Sequence, residues 1–128
     1  MDRIRVTTFQ VGSPAKRGQG LRIGVTRRPP RGVRKKDWTP DYFDVWLPSL
    51  APSDRLLAWA HKEGLQDPQR RKSFFRRYER EVLGHAGSRQ TVLLLKQMAS
   101  RMPVSIGCHC ADETICHRSH LLKLILNS

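Results

Sequence analysis

The spacing of apolar positions changes along this chain, and each change predicts a different element. Arg3 to Thr8 and Leu21 to Thr26 alternate or run β-branched, the pattern of strands. Between them VGSPAKRGQG, with three glycines, a serine and a proline, predicts a flexible basic loop. Phe43 to Leu47, closed by Pro48, predicts a short third strand. Helical spacing follows. Pro52 and Ser53 precede RLLAWAHKEG, where Leu56, Leu57 and Ala60 share a face and Gly64 supplies the stop. A second helix opens at Asp67-Pro68, a capping residue before a proline suited to the first helical position. Phe74, Phe75, Tyr78 and Val82 make its apolar stripe, Lys72, Arg76 and Arg80 a basic ridge opposite, and Gly84 its end. A third helix is expected from a Ser88 cap through TVLLLKQMASR. Pro103 interrupts it ahead of a fourth, buried strand at VSIG. The last helix begins near Cys116 or His117, with Leu121, Leu122 and Ile125 on its apolar face.

Strands mixed with helices, closing on strand–loop–helix, predict an α/β fold. The expected form is one small domain over 1–128, about four short strands with helices packed around the sheet. A chain of 128 residues can bury a core without covalent staples. Hydrophobic residues at 38% and charged residues at 27% exclude a disordered chain. Unbroken apolar runs such as Val92-Leu93-Leu94-Leu95 are far too short to span a bilayer, so no membrane partner is expected. MDRIRVTTF lacks the features of a secretory signal. Three cysteines, two of them in a Cys-x-Cys pair, argue against a disulfide framework, and a reducing cytoplasm is the expected location.

Charge adds a class of partner. Lys and Arg number 24 against 11 Asp and Glu, a net +13, which favours polyanions: a phosphate-bearing small molecule or nucleic acid. The first 36 residues hold eleven of the basic residues. Among them Arg27, Arg28 and Arg31 flank Pro29 and Pro30; a stiff backbone lowers the entropy lost on clamping an anion, so these three are the candidate anion-binding residues. A solvated basic loop is the alternative. Trp38, Tyr42, Phe43, Trp46 and Trp59 read as core or rim packing.

The chemistry concentrates in IGCHCADETICHRSHLLKLIL, where all three cysteines fall within nine residues. The loop lies just past the carboxyl end of the expected central strand, where open α/β sheets bind ligands. Cys116, His117 and Arg118 at a helix start are the candidate catalytic residues. The helix dipole, Arg118 and a protonated His117 would favour a Cys116 thiolate as nucleophile, with His117 as acid or base. The spacing is not that of a phosphatase loop, which needs five residues between cysteine and arginine; here seven separate Cys110 from Arg118 and one separates Cys116 from it. A second reading is metal: Cys108, Cys110 and Cys116 with His109, His117 or His120 would complete a tetrahedral set, although the gaps of one and five residues depart from the usual structural-zinc spacing. A third treats the cysteines as small buried apolar residues. Which cofactor the protein uses is left open by the sequence.

At VTRRPPRGVRKKDW, DVWLPSLAPS, RYERE and CHCADETICHRS the chain resembles the family known as domain of unknown function 488, from about Ile23 to Leu126. The resemblance implies a small, cytoplasmic, mostly prokaryotic α/β protein and no assigned activity. It also implies that members lacking the cysteines keep a histidine at the position of His117. A function shared by the whole family would therefore fall on Arg31 and His117, and the thiols would belong to one branch. The family often carries tryptophan where this chain has Pro29.

Overall fold

A computed structural model describes residues 3–128 of the chain. Four strands, β1 (Val6–Gln10), β2 (Leu21–Gly24), β3 (Val45–Trp46) and β4 (Val104–Cys108), form one parallel sheet in the order β1-β4-β2-β3. Helices α1 (Asp54–Glu63), α2 (Pro68–Leu83) and α3 (Ala86–Ala99) lie between β3 and β4, and α4 (His117–Leu126) follows β4. The α/β expectation holds. β4 is central, flanked by β1 and β2, and all five of its residues are buried. A strand covered on both faces cannot afford alternating polar positions, which is why VSIGC is small or apolar throughout.

Alternation along the strands assigns the faces. Ile23, Val25, Val104 and Ile106 point to one side and share a core with Leu56, Phe74, Leu95 and Leu121, one from each helix. Burying each such side chain contributes about 1.5–3 kcal/mol. All four helices therefore serve one face. The opposite face, with Arg22, Gly24, Ser105 and Gly107, is covered by loop segments instead of helices. The buried Arg22 guanidinium donates to the carbonyls of Ser13 (2.7 Å) and Pro40 and lies 4.1 Å over the Phe9 ring. Glycine is required beneath the covering rings: a Cβ at Gly24 would sit 2.3 Å from Phe43, and one at Gly107 would sit 2.4 Å from Phe9.

The expected caps of the first two helices form. Ser53 Oγ accepts from the Leu56 N–H (3.1 Å), and Glu81 receives the Ser53 N–H (2.8 Å) and hydroxyl. Asp67 accepts from the Arg70 N–H (3.1 Å), with Pro68 at the first helical position. Three expectations are corrected. β1 is shifted to Val6–Gln10, in register with β4. The third strand is only Val45–Trp46, because Phe43 turns inward over Gly24. Ser88 does not cap α3; it lies inside the helix, its hydroxyl donating to the carbonyl of Val82 (2.5 Å) at the end of α2. No helix among the described residues is long and apolar enough to cross a membrane.

Candidate thiol site at the β4–α4 junction

β4 carries Cys108 to its carboxyl end on the face that packs against the helices. The chain then loops through a short turn at Glu113–Ile115, and Cys116 stands immediately before α4. Hydrogen bonds within the loop and from β1 fix its course. Asp112 accepts from the Thr114 N–H (3.0 Å) and hydroxyl (2.6 Å), the Thr8 hydroxyl donates to Glu113 (2.5 Å), and the Gln10 amide donates to the His109 carbonyl (3.1 Å). From the first turn of α4, Arg118 Nη1 donates to the Cys110 carbonyl at 2.6 Å. The result is that Sγ of Cys108, Cys110 and Cys116 all lie within 4.8 Å of one another. Cys108 and Cys116 are buried, Cys110 is exposed, and none is in a disulfide.

His117 is tied to the neighbouring strand. Its Nε2 lies 2.7 Å from the Val25 carbonyl, which can only accept, so Nε2 carries the proton. In the neutral ring the lone pair is then on Nδ1, 3.7 Å from Cys116 Sγ. Burial pushes the imidazole down to about 4, more than its bond to Val25 raises it. The protonated His117 expected as partner of a thiolate is therefore corrected to a neutral one, because water is excluded around the ring. The three thiols interact strongly. Hydrogen bonds from Cys108 and Cys116 lower the Cys110 thiol, while donating toward Cys108 and Cys110, together with burial, pushes Cys116 up. The first negative charge in the cluster settles on the exposed sulfur.

The cluster opens into a cavity of about 700 Å³. The three cysteines and His117 form its floor, Leu57, Leu65 and Phe74 belong to its apolar wall, and Arg27, Arg28, His61 and His109 stand toward solvent. Arg27 is half-buried and donates through Nε to Pro52 (3.1 Å) and through Nη2 to Ala51 (3.2 Å). Arg28 pairs with Asp54 at 3.2 Å in an exposed contact. The structure thus gathers the cysteines, His117, Arg27 and Arg28, but two expected arginines stand apart. Arg31 is exposed and does not line the cavity, and Arg118 is buried against the loop it braces. His120 is also remote in role, stacked on Phe75 with ring centroids 5.2 Å apart and its Nε2 3.4 Å from Glu79. His61 and the Val25 carbonyl are functional neighbours that no local pattern signals.

Three convergent sulfurs could hold a metal ion. Thiolates bound to one tetrahedral zinc, at about 2.3 Å each, lie roughly 3.8 Å apart, so sulfurs within 4.8 Å of one another would close by up to about 1 Å to hold the ion. Fold and site together define a small parallel α/β protein with a cysteine–histidine centre at the carboxyl end of its central strand. The chain belongs to the DUF488-N3a family, described as the active DUF488-N3 subclade, whose model matches residues 6–128. No curated protein and no solved structure matches it.

Proposed function

We propose that the protein holds a soft divalent metal on Cys108, Cys110 and Cys116, in a centre that acts on an anion-bearing substrate bound in the cavity. The carrying observation is the meeting of three Sγ atoms within 4.8 Å at the floor of that cavity. Three protein ligands leave a fourth coordination position, the arrangement of a catalytic rather than a structural zinc site. A metal there would supply Lewis acidity and a water of lowered pKa. The chain's own residues do the rest. Arg118 positions the loop that carries Cys110, and Val25 holds the His117 ring so that its unprotonated nitrogen faces Cys116. Apolar walls would accept the uncharged body of a substrate. Among the described residues Arg27 Nη1 has no protein partner, which leaves it available, with Arg28, for a phosphate or similar group. The description of the family as an active subclade is in keeping with catalysis.

The test is elemental analysis of protein purified without added metal, followed by cobalt substitution. One ion per chain and a sulfur-to-cobalt charge-transfer band are expected, both lost in Cys108→Ser. Protein that neither carries metal nor takes up cobalt or zinc would end this reading. The exposure and lowered pKa of Cys110 favour one alternative, in which Cys110 rather than Cys116 is a metal-free nucleophile. Rapid alkylation of Cys110 by iodoacetamide near pH 6, unaffected by chelator, would select it.

A further inference from the structure

Cys110 differs from its two neighbours in one respect that matters for redox chemistry: it is the only exposed sulfur of the three, yet it has both others within 4.8 Å. An oxidant entering the cavity meets that sulfur first, and a second thiol is already beside it. We propose that Cys110 is a redox-modification site, oxidised by hydroperoxides and then closed into a disulfide with Cys116, which disables the centre. The proposal deepens the metal reading and rests on the same thiol cluster.

The steps balance. The Cys110 thiolate attacks the distal oxygen of a hydroperoxide, forming the S–O bond of a sulfenic acid and expelling an alkoxide, or hydroxide from hydrogen peroxide. The Cys116 sulfur, losing its proton, attacks the Cys110 sulfur and expels hydroxide, which leaves as water. Two thiols lose two electrons and two protons, and the peroxide is reduced to an alcohol, or to water. Cys116 is the resolving thiol for a geometric reason. A bridge from Cys110 to Cys108 would close over a single residue, with Cys108 pinned in the sheet through pairing to Gln10. A bridge to Cys116 closes over five residues of loop, which can adjust to the sulfur–sulfur dihedral a disulfide needs. Two of three candidate ligands are consumed, so a bound ion loses its hold.

The experiment treats full-length protein, zinc-loaded or stripped with chelator, with hydrogen peroxide. Thiols are counted, zinc release is followed with a chromophoric chelator, and bridges are located by mass spectrometry of a non-reducing digest. Loss of two thiols per chain, a Cys110–Cys116 bridge and reversal by dithiothreitol are expected. In Cys116→Ser oxidation stops at a sulfenic acid on Cys110, trapped by dimedone. In Cys110→Ser, a change at an exposed position, rapid oxidation falls at least tenfold. Unchanged oxidation of Cys110→Ser, or a Cys108–Cys116 bridge in the unaltered chain, overturns the proposal. A chain that takes no zinc yet forms the Cys110–Cys116 bridge supports this proposal while ending the metal reading. One that binds zinc but resists peroxide at Cys110 when stripped ends only this proposal.

Discussion

His117 donates a 2.7 Å hydrogen bond from Nε2 to the main-chain carbonyl of Val25, across 92 residues of sequence. That contact joins the start of α4 to the strand beside β4 and decides which ring nitrogen faces the thiols. A histidine held this way serves only while neutral.

Its pH dependence follows. The folded pKa is pushed down to about 4 from the ordinary 6.5. The unfolded chain therefore binds the proton more readily, and the contribution to stability is fully present above pH 6.5 and is lost as pH falls toward 4. A shift of this size corresponds to on the order of 3 kcal/mol. Denaturant titrations of chelator-treated protein at pH 7.5, 5.5 and 4.5 measure it, and His117→Gln should flatten the dependence.

Tyr78 makes a second buried tie, donating from its hydroxyl to the Leu50 carbonyl at 2.6 Å. Tyr78→Phe leaves that carbonyl without a partner in a dry site, at a cost of about 1–3 kcal/mol. A shift in the urea midpoint with unchanged slope is the expected signature; an unchanged midpoint would show that water replaces the hydroxyl.

The loop-covered face of the sheet makes its own demand. Gly107→Ala places a methyl 2.4 Å from the Phe9 ring, which is buried and stacked against the Arg22 guanidinium. Destabilisation of about 1–3 kcal/mol is expected from such overpacking. Adding Phe9→Leu should recover part of the loss in thermal melts, a non-additivity that distant sites do not show.

Arg118 should matter more to the centre than to the fold. Its bond to the Cys110 carbonyl holds the one exposed thiol against the other two. Arg118→Ala removes that bond outright. Zinc affinity, measured by chelator competition, is expected to fall about 10–100-fold, the usual effect of losing a group that orients a ligand.

Much of this was legible in the chain. The helices announced themselves through stripes such as Phe74, Tyr78 and Val82, and their starts through Ser53 and Asp67, because both signals act over three or four residues. The central strand was recognisable as an unrelieved buried run. Ser88 misled for the same local reason: it has the chemistry of a cap, and only the position of α2 makes its hydroxyl face Val82 instead. The arginines misled differently, since charge says nothing about direction. Arg118 turns to brace the Cys110 carbonyl and Arg31 lies away from the cavity, so of the expected arginines only Arg27 and Arg28 line it.

What the sequence determined by itself was the class of fold, the family, and the segment that carries the three cysteines and His117, since each depends on residue types and near-neighbour spacing. Tertiary structure alone decided which groups meet there. The Thr8 hydroxyl reaches Glu113 across 105 residues, and Val25 reaches His117 across 92. Contacts of that range arise from sheet order and packing, so no local pattern could reveal that three thiols converge beside a neutral histidine, with one of them open to solvent.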